Sequence, residues 1–285
     1  MPLRDEQGVP LPRRLGAPEP PHPGQDRHGR RALAPGVARR PLPQRLPRAR
    51  RHPLEDPHHL PAPRDLSEGG DDTVYRTGPV EKYLADAAAG IPAPGGGSVS
   101  ALAGALGAAM ACMAANFTVG KKKFARVEPE CRSILERCEA GYRRLLELMD
   151  RDVAAYGTVS AAYGMPRDTE EQKAARAAAI QTALKVALAE PLAAFRHCLD
   201  LIRSLDRLVE IANPNLISDV GVAAILLEAA LRGAKINVEI NLASLKDHAF
   251  VATTRKEIED GAAEATRIAA SVVQRVYAKM GWPPA

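Results

Sequence analysis

Gly95-Gly96-Gly97-Ser98-Val99-Ser100-Ala101-Leu102-Ala103-Gly104-Ala105-Leu106-Gly107-Ala108-Ala109-Met110-Ala111-Cys112-Met113-Ala114-Ala115-Asn116-Phe117 decides the fold. A loop entered through Pro92-Ala93-Pro94 opens directly into this Ala/Gly-rich run, and no charge falls between Asp86 and Lys121. The pattern predicts a helix over about 98–117, apolar all round and therefore surrounded by other helices. Its length would suffice for a bilayer, but Ala, Gly and Ser dominate, Asn116 lies inside and Leu is sparse. Ala103, Gly104, Gly107 and Ala108 would let neighbouring helices approach closely. The run reads as a core helix, and no membrane is expected. At its start, first-turn N–H groups lack helical partners and the helix dipole adds partial positive charge, a setting that attracts carboxylates and phosphates.

Outward from this run nearly everything after residue 73 reads as helix. Val80–Ala89 is amphipathic and ends at Gly90. A long helix over about 127–162 carries Ile134, Leu135, Cys138, Tyr142, Leu145, Leu146 and Met149 at spacings of three and four. Gly164-Met165-Pro166 breaks it. Thr169 and Gln172 form a capping box for the next helix, with Glu170 and Glu171 suited to its dipole. That helix reaches about Ala189, and Pro191 starts or kinks another over 192–212. Asn213-Pro214-Asn215 is a loop, followed by helices over about 218–235 and 247–280. The segment 237–244 reads as irregular, and 236–242 is the one run with strand-like alternation. The expectation is an all-α antiparallel bundle, with Ala-rich faces left over for a second subunit.

Charge is unevenly spread over the 285 residues. Residues 1–70 hold 13 of the 39 basic residues, all Arg, with 8 of the 34 acidic ones, 15 of the 24 Pro and no aromatic residue. The remaining 215 residues carry 26 of each sign, so the basic character belongs to the tail. A chain this rich in Pro and poor in aromatics does not bury enough surface to fold alone. Residues 1–72 are read as a disordered extension or an over-called start, and 73–285 as the helical domain. A targeting peptide fits poorly, since no apolar segment is present and Ser67 is the one serine. A nucleic-acid arm is the alternative for the tail. Cys112, Cys131, Cys138 and Cys198 form no C-x-x-C pair, and His197 and His248 are the only histidines after residue 70. Reduced core thiols, a cytoplasmic protein and no metal are expected.

Four stretches could carry chemistry, each with a plainer structural reading beside it. The glycine loop follows no strand and lacks the P-loop lysine, so it is either a tight turn or an anion-facing nest. Gly120-Lys121-Lys122-Lys123 is a solvated face or an attractor for a polyanion. In Asp150-Arg151-Asp152 the carboxylates lie about 200° apart on a helix. One of them therefore faces inward, sharing its side with Tyr156, and the other faces solvent. In Asn213-Pro214-Asn215-Leu216-Ile217-Ser218-Asp219, Ser218 is either the N-cap of the next helix or, with its neighbours, a polar set for a heterocycle with amide edges.

Taken in order, these stretches resemble the formiminotransferase-cyclodeaminase C-terminal family, which includes stand-alone methenyltetrahydrofolate cyclohydrolases. The match rests on APGGGS (93–98), N-x-T-x-G-K-K-K (116–123), D-x-D-x-x-A-Y (150–156) and the 163–169 turn with its following E-E-Q-K-A-A-R. N-P-N-x-I-S-D-x-G (213–221) and N-V-x-I-N-L (237–242) complete it. The similarity spans about 75–280. Ala212 and Val153 depart from the usual Gly and Ala, and neither change removes a polar group. The resemblance implies an all-α fold, a dimer or larger assembly, and a tetrahydrofolate substrate. It implies cyclohydrolase chemistry or, alternatively, formiminotetrahydrofolate cyclodeaminase chemistry with release of ammonia. A reading from another class is a non-catalytic bundle with a nucleic-acid arm.

Opening a cyclic amidinium needs a base for water and a counter-charge. On that basis Asp152 and Asp219 are the catalytic candidates. Asn213, Asn215 and Ser218 would orient the pterin or the water. Gly95, Gly96, Gly97 and Ser98, with Lys121, Lys122 and Lys123, would hold glutamate carboxylates. Tyr156, with Phe117 and Phe124, would offer ring-stacking surface.

Overall fold

The computed structural model describes residues 74–282, so the readings of the Arg/Pro-rich tail lie outside the described residues. Six α-helices follow one another: α1 (Val80–Ala88), α2 (Gly96–Asn116), α3 (Glu128–Tyr163), α4 (Glu170–Ile211), α5 (Ile217–Leu242) and α6 (His248–Met280). Short 3₁₀ turns sit at Tyr75–Thr77, Lys122–Phe124 and Pro214–Leu216, and no strand occurs among the described residues. The fold is all-α, as expected.

α2 packs against α3, α4 and α5, and α6 lies along α4 and α5. Cross-helix contacts set the directions. Asp152 meets Ser98 while Cys131 meets Ala115, so α3 runs antiparallel to α2. Gly96 faces Asn237 and Gly107 faces Leu227, so α5 is antiparallel to α2 as well. Arg196–Glu257 and Arg203–Glu264 rise together, which makes α4 and α6 parallel.

Small residues allow the close packing that the sequence suggests. A Cβ on Gly104 would come within 2.8 Å of the Cys198 sulfur, and one on Gly107 within 2.9 Å of Leu227. α2 is not surrounded on all sides, however. Val99, Leu106 and Met113, spaced by seven, remain 45%, 52% and 39% exposed. α2 and α4 are each long and apolar enough to cross a bilayer by length and composition, and the apolar window of α2 is 61% buried within the bundle.

Three other expectations are corrected. α4 runs unbroken through Pro191. Proline removes one intrahelical bond, but Leu188, Leu192 and Phe195 on both sides of it are buried and hold the helix axis in place. α5 continues to Leu242, through the segment read as irregular. There Val238 and Leu242 are buried four apart while Ile236 and Ile240 are exposed four apart. Helical spacing on two opposite faces thus imitates period-two alternation. Ser218 is not the N-cap of α5. Leu216 holds that position, and Asn213 instead closes the preceding turn by accepting the Asn215 N–H at 3.2 Å.

All four cysteines are buried free thiols. Burial pushes the Cys198 thiol up to about 12. Thr169 and Gln172 make both hydrogen bonds of the capping box.

Candidate functional site

α2 begins with Gly95 in the N-cap position and no side-chain cap. The chain itself supplies the anion that such a helix start attracts: Asp152 Oδ2 accepts the Ser98 N–H at 2.8 Å. Gly96 and Gly97 N–H have no acceptor among the described residues. Gly97 is required here by space rather than by conformation. A Cβ would sit 2.2 Å from Asp152 Oδ1, so any larger residue would drive the carboxylate out.

Around this contact three more elements converge. Tyr83 of α1, 3% exposed, places its hydroxyl 3.0 Å from the fully buried Ser98 Oγ. Glu190 of α4 stands near enough for its charge to act on Asp152, and pairs with Arg151 at 3.1 Å. Asn237 of α5 donates to the Gly233 carbonyl at 2.9 Å and packs where a Cβ on Gly96 would reach it at 3.2 Å.

Burial raises the Asp152 carboxyl above the usual range, and the Glu190 charge adds to this, while the Ser98 N–H opposes it. Burial likewise raises the Tyr83 phenol. The result is a partly desolvated carboxyl that holds its proton more tightly than usual, a property that general bases share with structurally buried carboxylates.

Asp150 does not point freely into solvent. Its side chain is 17% exposed, pairs with Arg76 Nε at 3.5 Å and accepts the Arg76 N–H at 3.3 Å. At 3.5 Å the guanidinium neutralises Oδ2 without hydrogen-bonding it. The two aspartates therefore both turn inward, toward different elements. Tyr156 lies one turn beyond Asp152, half-buried.

The other candidates gather at the far end of α2. Buried Thr118 donates to the Ala114 carbonyl at 2.8 Å and accepts the Asn213 N–H at 2.8 Å. Asn213 Nδ2 donates to the Phe117 carbonyl at 3.2 Å. Asn215 and Ser218 are exposed nearby, and Asp219 is half-buried with no hydrogen bond or ion pair among the described residues. Lys121, Lys122 and Lys123 are exposed and lack ion-pair partners among the described residues, with Lys123 Nζ 5.6 Å from the Phe124 ring centre. Gly120 has φ +74° with open space around it, so left-handed backbone is what makes glycine fit there.

The candidates thus form two groups: Gly95–Ser98, Asp152 and Tyr156 at one end, and Lys121–Lys123, Asn213, Asn215, Ser218 and Asp219 at the other. The twenty residues of rise along α2 separate them by about 30 Å. Two surface concavities of about 510 and 320 Å³ take in none of them. The larger is lined by Arg137, Arg144, His197 and Arg203, the smaller by Arg167, Lys173, Arg176 and Lys246. No group of three His, Cys, Asp or Glu side chains suited to a metal occurs among the described residues. Tyr83 and Glu190 were not legible as site residues. A tyrosine on a short amphipathic helix and a glutamate before a proline carry no spacing signal.

Comparison with known proteins identifies the family. The formiminotransferase-cyclodeaminase family profile matches residues 79–260. A methenyltetrahydrofolate cyclohydrolase of Methylorubrum extorquens is 42% identical over 201 residues, covering 70% of this chain and 97% of that protein. The formimidoyltransferase-cyclodeaminase of Sus scrofa is 35% identical over 75% of this chain, which spans only 40% of that longer protein. The crystal structure of a formiminotetrahydrofolate cyclodeaminase from Thermotoga maritima superposes with a TM-score of 0.60 at 33% identity, over 72% of this chain and 96% of that one. This chain belongs to the formiminotransferase-cyclodeaminase family.

Proposed function

We propose that the protein is a methenyltetrahydrofolate cyclohydrolase, adding water to the 5,10-methenyl cation to give 10-formyltetrahydrofolate and a proton. The observation that carries this reading is the 42% identity to a cyclohydrolase over nearly that enzyme's whole length. In the reaction Asp152 takes a proton from water as the oxygen bonds to the methenyl carbon. The carbinol O–H then gives up its proton to solvent as the carbon–N5 bond breaks, N5 takes the proton held by Asp152, and the carbon stays on N10 as formyl. Asp152 and Glu190 supply negative charge near the cationic carbon, and a raised carboxyl pKa strengthens Asp152 as a base. Lys121–Lys123 are suited to glutamate carboxylates and Tyr156 to a ring face, whereas the Gly95–Ser98 turn, whose Ser98 N–H Asp152 takes, is suited to holding that carboxylate in place. Asn213, Asn215, Ser218 and Asp219 are suited to the amide edge of a pterin. We further read the protein as a homodimer of the reducing cytoplasm, where its buried free thiols would be stable.

The full chain is tested by the decay of 5,10-methenyltetrahydrofolate absorbance against the spontaneous rate. Strong acceleration is the expected result. The Thermotoga maritima relative favours a second reading, in which N10 attacks the formimino carbon and ammonia leaves. Ammonia release from 5-formiminotetrahydrofolate, without acceleration of the first reaction, would replace our proposal with that one.

A further inference from the structure

The 163–176 stretch, a turn followed by E-E-Q-K-A-A-R, takes no part in the contacts around Asp152, yet it supplies Arg167, Lys173 and Arg176 to the smaller concavity. Lys246, from the loop between α5 and α6, completes the ring of cations, and Ala177 and Ile180 of α4 form an apolar wall. Among the described residues no carboxylate lines this space. Its volume of about 320 Å³ falls at the small end for a ligand site.

These cations are poorly neutralised from within the chain. The side chains of Arg167 and Lys246 have no hydrogen bond or ion pair among the described residues. Arg176 directs its fork at a neutral group: Nε and Nη2 donate to the Tyr163 carbonyl at 3.2 and 3.0 Å, with the guanidinium 5.7 Å from that ring centre. Its position is fixed while its charge stays uncompensated. Lys173 pairs with Glu170 at 2.7 Å, but that carboxylate is 86% exposed and screened by water. Asp247, next to Lys246, is held by Lys185 at 2.8 Å and by the Phe250 N–H.

Both rims are braced by an amide side chain. Gln172 Oε1 accepts the Asp168 and Thr169 N–H at 2.8 and 3.2 Å, fixing the turn that carries Arg167. Gln181 donates to the Ser244 carbonyl at 3.0 Å and accepts the Lys246 N–H at 2.8 Å, fixing the opposite loop. Backbone pinned on both sides lowers the ordering cost of binding. The larger concavity lacks this character, since Asp200 lines it and Arg144 and Arg203 are matched by Glu147 and Glu264.

The smaller concavity is also separate from the contacts at Asp152. Glu190 of α4 is level with the start of α2, and Cys198 is level with Gly104, so the residues before Glu190 extend past that start. Arg176 precedes Glu190 by fourteen residues, about 21 Å along the helix.

We propose that this concavity is a second binding site, for a compact anion bearing two or more adjacent oxyanion groups. Guanidinium and ammonium groups around one space match phosphate or carboxylate oxygens, and the Ala177–Ile180 wall excludes water from one side of them. This site does not depend on the folate reading.

Titration calorimetry on the full chain, in about 0.15 M salt to screen diffuse attraction, tests it with two probes. Inorganic pyrophosphate stands for a phosphate source and citrate for a carboxylate source. At least one is expected to bind saturably, once per chain, and the one that binds names the source. Arg167→Gln combined with Lys246→Gln is expected to weaken that binding at least about 10-fold. Helical circular dichroism should be unchanged, because both side chains are exposed and unpartnered among the described residues. Arg167→Glu alone reverses one charge and is expected to reproduce the loss, should the paired variant lose helix. Lys121→Gln with Lys122→Gln, at the other end of the bundle, is expected to leave affinity unchanged. Binding of neither probe overturns the proposal. So does an affinity that follows Lys121 and Lys122 instead of Arg167 and Lys246. A wild-type protein silent on folates leaves these titrations as they are, so the two readings fail separately.

Discussion

Asp152 is a carboxylate held under opposing influences: a backbone N–H and a helix dipole favour its charge, while burial and Glu190 resist it. Burial prevails, so its folded-state pKa lies above the unfolded one. The folded chain therefore binds this proton more tightly, and stability falls as pH rises between the two values. Asp152→Asn removes that dependence, so its thermal midpoint relative to wild type is expected to climb with pH across that window, as read by calorimetry. The same substitution removes the base and is expected to slow turnover by roughly 10²–10⁴-fold. For the wild-type enzyme, kcat/KM should fall on the acid side as Asp152 takes up its proton. The inflection should lie above the ordinary aspartate value of about 3.9, and a profile flat through that region would remove Asp152 from the role of base. Gly97→Ala tests the position of the same carboxylate without touching its charge. The new methyl would occupy the space of Oδ1, so activity should fall, with a stability loss of about 1–3 kcal/mol in urea unfolding.

Where elements meet, single polar side chains connect them. Thr118, fully buried after the last turn of α2, is the hinge between that helix and the loop entering α5. Thr118→Val keeps the shape and removes the hydroxyl, leaving the Asn213 N–H without its acceptor. A loss of about 1–3 kcal/mol is expected for an unpaired buried donor, together with a raised KM as the Asn213–Asp219 segment loosens. An unchanged urea midpoint and KM would show that the loop is held otherwise. α4 illustrates the opposite lesson. Its capping box was readable from Thr169 and Gln172, because capping is local chemistry. Its continuity through Pro191 was not, because the packing of Leu188, Leu192 and Phe195 decides it.

Across the whole molecule, the two-pronged Arg196–Glu257 and Arg203–Glu264 pairs align α4 with α6 at a seven-residue repeat. They lie at the surface, where ion pairs contribute about 0–1 kcal/mol. Glu264→Gln is therefore expected to lower stability by less than about 1 kcal/mol, and by still less in high salt. A larger loss would mean that the pairs, not the apolar core, hold α6 in place.

The sequence by itself determined that this chain is an all-α bundle around an Ala/Gly-rich helix, the approximate extent of α2, α3 and α6, and which family it resembles. Those properties follow from periodicity, capping and the order of motifs, all of which are local along the chain. It also named Asp152 and Asp219 as candidates, but its expectation that only one carboxylate of the D-x-D turns inward fails, since Asp150 is held against Arg76. Only the tertiary structure decided that Asp152 occupies the start of α2, that Tyr83 and Glu190 surround it, and that Asp150 turns toward Arg76. It alone divided the candidate residues between the two ends of one helix and left a strip of α2 uncovered. The physical reason is the same in each case: contacts between residues on different elements, 15 to 74 positions apart, depend on how helices are placed in space, and a linear pattern does not encode that placement.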